Sequence, residues 1–176
     1  MEKHFNIIAK ENRLLGQMTF CKEVVNDIIN THIEQLFYNN LRIIDIQTDT
    51  NGNVNKYRLE YSEWPNERIC HRFSYYDRIN GYIDESDSSK IYLDKQLVFE
   101  SFYIVPEIFI KESNGIIRIF DFIKSMHTKI LFRTEVNENY NCIQITAPVC
   151  IKITLDKKNL LIKYEDINSQ ISYIEV

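Results

Sequence analysis

The stretch Thr19–Tyr38, TFCKEVVNDIINTHIEQLFY, decides the fold class. Phe20, Val24 and Ile28, and beside them Val25, Ile29, Ile33, Leu36 and Phe37, recur at three- and four-residue spacing. That is the period of an α-helix with one apolar stripe. Thr19 is available as an N-cap, and Asn39-Asn40 as a stop. A stripe this broad must be covered, so the spacing predicts a helix over Thr19–Tyr38 lying against a sheet.

Downstream, the pattern changes to strands. Leu41–Thr50 and Asn53–Tyr61 flank Asn51-Gly52, a strong two-residue hairpin signal. Counting outward from Thr50 opposite Asn53 pairs Ile46 with Tyr57 and Ile44 with Leu59 on one face. The other face then pairs Asp45 with Arg58. Apolar meets apolar and acid meets base, which a one-residue slip would destroy. Further strands are predicted at Ile69–Tyr76, Leu97–Val105, Thr128–Val136, Cys142–Ala147, Val149–Leu155, Leu160–Glu165 and Gln170–Glu175. Glu107–Glu112 and Ile116–Phe120 read as a second hairpin around Asn114-Gly115. Around Asp156–Asn159, pairing Leu155 with Leu160 and Ile153 with Ile162 sets Lys152 opposite Lys163. Arg118–Ile130 fits either a strand or a short helix capped by Asp121.

The expected architecture is therefore α+β and a single domain over residues 1–176. An N-terminal helix packs on a long, twisted antiparallel β-meander, either a half-barrel or two layers. At the level of pattern this resembles cystatin-like or NTF2-like half-barrels, with no motif behind the likeness.

Composition narrows the function classes. With 44% hydrophobic and 26% charged residues, the chain can bury an ordinary core. A net charge of -4 makes no electrostatic case for nucleic acid or an anionic membrane. Abundant Ile, Asn, Lys, Tyr and Phe beside 4 Gly and 3 Pro favour A/T-rich codons, hence an AT-rich genome. The cysteines, Cys21, Cys70, Cys142 and Cys150, form no C-x-x-C pair, against zinc-ribbon and thioredoxin-type sites. The start lacks an apolar signal core, and no apolar run approaches the ~20 residues that span a bilayer. The expected compartment is cytoplasmic, of the cell itself or of a host, with reduced thiols.

Motifs for chemistry are few. His4, His32, His71 and His127 include no H-E-x-x-H and no H-x-H. His71 could line a pocket beside Tyr75. In the helical reading Cys21 lies two residues past an N-cap, where backbone N–H groups would favour a thiolate. Cys142 and Cys150 share a strand face and would approach each other if their strands pair. Asp49-x-Asn51-x-Asn53 has its Gly two places too early for a calcium loop and lacks the closing Glu. No phosphate loop or nucleophile elbow is present. No metal and no cofactor are expected.

What remains is aromatic: 11 Tyr, 10 Phe and 1 Trp. Trp64 lies in the polar segment SEWPNER, and Tyr76 and Tyr82 bracket Asn80-Gly81. Large aromatics beside turns give contact area at low entropic cost. Trp64, Tyr76 and Tyr82 are the expected binding residues of a non-enzymatic module that docks on another protein, as a toxin-neutralising, anti-defence, host-factor-inhibiting or adaptor protein. The alternative is a cup-shaped domain for a small apolar molecule, with weak hydrolase or isomerase chemistry at most. A structural homo-oligomer is a third reading.

Overall fold

The computed structural model describes residues 1–38, 40–63, 70–77, 81–84, 87–91, 97–121 and 126–176. They form fifteen strands and two short helices. The strands are β1 (Glu2–Ala9), β2 (Leu14–Val25), β3 (Ile28–Phe37), β4 (Asn40–Asp49), β5 (Val54–Glu63), β6 (Cys70–Asp77), β7 (Gly81–Asp84) and β8 (Asp87–Ile91). After them come β9 (Leu97–Val98), β10 (Asn114–Asp121), β11 (Met126–Val136), β12 (Asn141–Ala147), β13 (Ile151–Leu155), β14 (Leu161–Asp166) and β15 (Ile171–Glu175). The helices are α1 (Ser101–Ile104) and α2 (Glu107–Glu112).

The expected N-terminal helix is not there, and the α+β reading is wrong: the chain is nearly all β. Thr19–Tyr38 is the β2–β3 hairpin, with Val24 opposite Ile29 and Phe20 opposite Ile33. Asn26 and Asp27 make the turn at φ 50° and 63°. Both angles are positive, as a type I′ turn requires, and Asn and Asp are the residues that tolerate them. The helical spacing came from apolar residues doubled on either side of this turn. Val24 and Val25 are exposed at its tip, while Phe20, Ile29, Thr31 and Ile33 alternate onto the buried face. Val24, Val25, Ile28, Ile29, Thr31 and Ile33 are all β-branched, which favours the pleat over the helix.

The β4–β5 hairpin has the expected register: Ile46 opposes Tyr57, Ile44 opposes Leu59 and Asp45 opposes Arg58. All four apolar partners are buried. The turn is longer than a two-residue loop. The Asp49 carbonyl accepts the Gly52 N–H at 3.0 Å, and the Asp49 N–H donates to the Asn53 carbonyl at 3.0 Å. A bulge between the Thr48–Val54 and Gln47–Lys56 pairs then restores the frame. Gly52 sits at φ 78°, and a Cβ there would meet Val105 and Leu97 within 3 Å, so the turn packs directly on the interior segment.

Three other expectations are corrected. Glu107–Glu112 is helical, entered through Pro106, whose fixed φ suits a helix start. Asn114-Gly115 is part of β10 instead of a turn, and Gly115 lies against the Phe132 ring, 3.1 Å from where a Cβ would stand. Leu97–Val105 contributes only the short β9 before α1 begins. In the β13–β14 hairpin the register is shifted so that Lys152 opposes Glu165 and Ile153 opposes Tyr164. The predicted Lys152–Lys163 repulsion is thereby avoided. Arg118–Ile130 is strand at both ends, in β10 and β11.

Neighbouring strands are sequential except at one seam, where β1 pairs with β15 and joins an N-terminal and a C-terminal meander. The sheet curls around residues 97–112. Phe102 stacks on Phe109 with centroids 4.2 Å apart, and Phe132 of β11 meets both rings edge-on. From the other side Phe20 of β2 meets Tyr103, and Tyr164 of β14 meets Phe99. The Lys22 ammonium donates to the Ile104 carbonyl at 2.6 Å, closing the end of α1. Residues 97–112 are thus a plug, apolar against β11–β13 and carrying polar contacts to β4 through Glu100 and to β2 through the Ile104 carbonyl.

Candidate functional site

On the Glu100 side of the plug lies a cavity of about 500 Å³, walled by inward-facing residues of β3, β4, β5 and β15. Gln35, Phe37, Arg42, Leu59, Ile171 and Tyr173 line it. Gln35, Arg42 and Tyr173 also wall a narrower space of about 70 Å³ that continues inward to Phe99, Glu100 and Tyr103. The volume falls within the range of small-molecule sites, and a mostly apolar wall with few convergent polar groups is their usual composition.

Strand alternation places Arg42 there. It is on the same face as Ile44 and Ile46, between Gln35 of β3 and Tyr61 of β5. Its guanidinium donates to Glu100 Oε1 at 3.0 Å. Glu100 stands immediately before α1, so the start of the plug carries the carboxylate to the sheet. The Glu100 side chain is 5% exposed and that of Arg42 27%, the latter keeping an edge on open space. Burial opposes the charge of Arg42, but Glu100, with Tyr57 and Tyr103 beside it, outweighs burial and raises its pKa further. Its Nε is buried and has no hydrogen-bond partner.

Tyrosines surround this pair. Tyr164 and Tyr173 are direct partners across β14–β15, with rings edge-to-face at 5.2 Å. The Gln35 side-chain amide donates to the Tyr173 hydroxyl. Burial pushes Tyr164 and Tyr173 above the usual phenol range, with Asp166 acting in the same direction. Tyr103 is raised too, by burial and then by the Glu100 charge. All three therefore remain neutral hydroxyls well past neutrality.

The outer face carries a second cluster. Cys21, His32, Asp45 and Arg58 are consecutive cross-strand partners on β2, β3, β4 and β5. They lie along an open groove of about 660 Å³. His32 Nδ1 is 2.6 Å from Asp45 Oδ1, and Arg58 is 3.6 Å from the other carboxylate oxygen. The order resembles a nucleophile, base and orienting acid. However, Cys21 is in mid-strand, not at a helix N-terminus, so no helix end favours a thiolate. Burial raises the Cys21 pKa, and the Glu2 carboxylate, which also hydrogen-bonds the thiol, raises it further. Such a thiol is protonated at neutral pH, the opposite of an activated nucleophile.

Of the three residues expected to bind a partner, the side chain of Tyr76 alone is described. Tyr76 is 1% exposed and opposes Tyr57 in the core. Tyr82 follows in β7, in register with Tyr76, but its side chain lies outside the described residues. Trp64, His71 and Tyr75 lie outside them in the same way, Trp64 with its backbone also. Cys142 and Cys150 do not meet: Cys142 is buried opposite Thr154, and Cys150 is exposed beyond the far end of β13. Among the described residues no cluster of His, Cys, Asp and Glu could hold a metal ion, and no helix is long and apolar enough to cross a membrane.

Sequence reasoning missed Arg42, Glu100, Tyr164 and Tyr173. One signal was available. The correct β4–β5 register puts Arg42 on the face of Ile44 and Ile46, and a charge on an apolar face needs a buried partner. Nothing local pointed to Glu100, which is 58 residues away along the chain.

No family model matches this sequence, and no curated protein does. Among solved structures, the crystal structure of a DUF1089 family protein from Pseudomonas aeruginosa is similar at 9% identity, with a TM-score of 0.49. The alignment covers 82% of this chain and 87% of that one. At that level the likeness carries no argument about fold or function.

Proposed function

We propose that the chain is a small-molecule-binding protein whose ligand enters between β3–β5 and β15 and rests on the Arg42–Glu100 pair. The observation that carries this reading is the 500 Å³ cavity ending on a buried ion pair. An ion pair kept inside an apolar roll costs desolvation, and replacing it by packed apolar groups is often neutral or stabilising. Its retention beside an open space is what a recognition site requires. Docking on another protein through Trp64 and Tyr82 is the competing reading, and it makes no use of the cavity.

The test is fluorescence titration with phenylnaphthylamine, a neutral dye that brightens in apolar sites. Saturable enhancement is expected, and it should disappear in Ile171→Trp, which fills the mouth, at an unchanged melting temperature. A dye that binds Ile171→Trp as well as the parent chain would refute the reading.

A further inference from the structure

The cavity has an internal partition. Its outer space of about 500 Å³ and its inner space of about 70 Å³ share three of the described residues, Gln35, Arg42 and Tyr173. Gln35 and Arg42 are direct cross-strand partners on β3 and β4. Tyr173 belongs to β15, which is separated from β3 by β2 and β1, so it reaches the same point from another part of the wall. The Gln35 side-chain amide joins the two sides by donating to the Tyr173 hydroxyl. Together the three side chains form a bar across the roll. Ile33, Phe99, Tyr103 and Tyr164 lie behind it.

The parts of the bar are not equally fixed. Arg42 is anchored on Glu100 at 3.0 Å. The Tyr173 ring is held edge-to-face against Tyr164, with centroids 5.2 Å apart. Gln35 is a flexible side chain, and its hydrogen bond to Tyr173 is what stretches it across the gap. One neutral hydrogen bond is a modest constraint. The amide is therefore the part of the bar that a single substitution can open.

On the reading of the cavity as a binding site, we infer that the Gln35–Tyr173 hydrogen bond sets the depth to which an apolar ligand enters, so that the protein selects its ligand by length. A chain entering past Phe37 and Ile171 is stopped at the bar, short of Phe99 and Tyr103. A water molecule occupies about 30 Å³ of the liquid, and a methylene group is of similar size, so the inner 70 Å³ has room for roughly two more carbons. Each buried methylene raises affinity about fourfold. With the bar open, a ligand two carbons longer than the limit should gain about 15-fold; with the bar closed it gains nothing.

Displacement of phenylnaphthylamine by straight-chain 1-alkanols, from hexanol to hexadecanol, measures this depth. In the parent chain, affinity should rise about fourfold per carbon and then level off at a limiting length. Gln35→Ala should move that limit at least two carbons further. Tyr173→Phe keeps the ring, releases the amide, and should move the limit in the same direction. Glu34→Ala, the neighbouring residue on the exposed outer face of β3, should leave it in place. The absence of a limit in the parent, an unmoved limit in Gln35→Ala or Tyr173→Phe, or an equal shift in Glu34→Ala would overturn this inference alone. If phenylnaphthylamine itself fails to bind the parent chain, the cavity reading fails and this inference with it.

Discussion

Separating Arg42 from Glu100 tests the interior on which the functional reading rests. Arg42→Met leaves the Glu100 carboxylate, 5% exposed, without its counter-charge. Removing one partner of a buried pair costs about 3–5 kcal/mol, and the depth of Glu100 puts this variant in that range. Glu100→Leu strands Arg42 instead, which is 27% exposed and can turn its guanidinium toward water in the cavity. That relief should reduce the cost to about 2 kcal/mol. The double variant has no stranded charge, and Met with Leu refill much of the volume, so it should fall within about 1 kcal/mol of the parent. The coupling between the sites is then about 4 kcal/mol or more, outside the error of a double-mutant cycle. Urea unfolding followed by far-UV circular dichroism measures all four proteins, and unchanged m-values would show that the unfolded reference is common. Additive losses, or a double variant as unstable as Arg42→Met, would mean that the two side chains do not meet inside the sheet, and the site would have no basis.

Three further outcomes follow from particular residues. Asn26→Ala should destabilise by about 1 kcal/mol in urea unfolding, because Asn tolerates φ 50° through its short polar side chain and Ala has no such compensation; in a helix the same change would stabilise, so its sign discriminates between the two readings of Thr19–Tyr38. Tyr103, Tyr164 and Tyr173 all titrate above their ordinary pKa of 10 when folded, so their stabilising contribution is complete below pH 10 and is lost as pH rises beyond it. The melting temperature should therefore fall above pH 10 while Lys22, whose pKa burial lowers, pulls in the opposite direction, and Tyr164→Phe should flatten the fall; an unchanged slope in Tyr164→Phe would count against its burial. Thiol labelling with Ellman's reagent should modify Cys150 rapidly and Cys142 only on unfolding, since one is exposed and the other 0% exposed; a fast phase that survives in Cys150→Ser and is lost in Cys142→Ser would contradict the β12 geometry.

How far the fold was legible depended on whether a segment's pattern had one physical explanation. Asn51-Gly52 with matched apolar and charged flanks admits a single register, and Ile44, Ile46, Tyr57 and Leu59 took it even though a three-residue loop and a compensating bulge replaced the simple turn. Most of the C-terminal strands were legible for the same reason. Thr19–Tyr38 was ambiguous in kind. Doubling apolar residues on both sides of a turn produces three- and four-residue spacings as readily as a helix does, and only pairing with β1 and β4 makes the strand form the one that buries Phe20, Ile29 and Ile33. Conversely, Leu97–Glu112 had strand-like composition, yet inside a rolled sheet it has few strand edges to pair with and satisfies its own backbone in α1 and α2.

The sequence by itself determined the β4–β5 register and the alternation of most of the later strands. Local residues suffice for these because turn chemistry and two-residue periodicity act over a few positions. Only the tertiary structure decided that β1 closes against β15, that residues 97–112 enter the roll, and that Glu100 meets Arg42. Those contacts join segments dozens of residues apart, and their free energy comes from burying surface and pairing charge that no local pattern records.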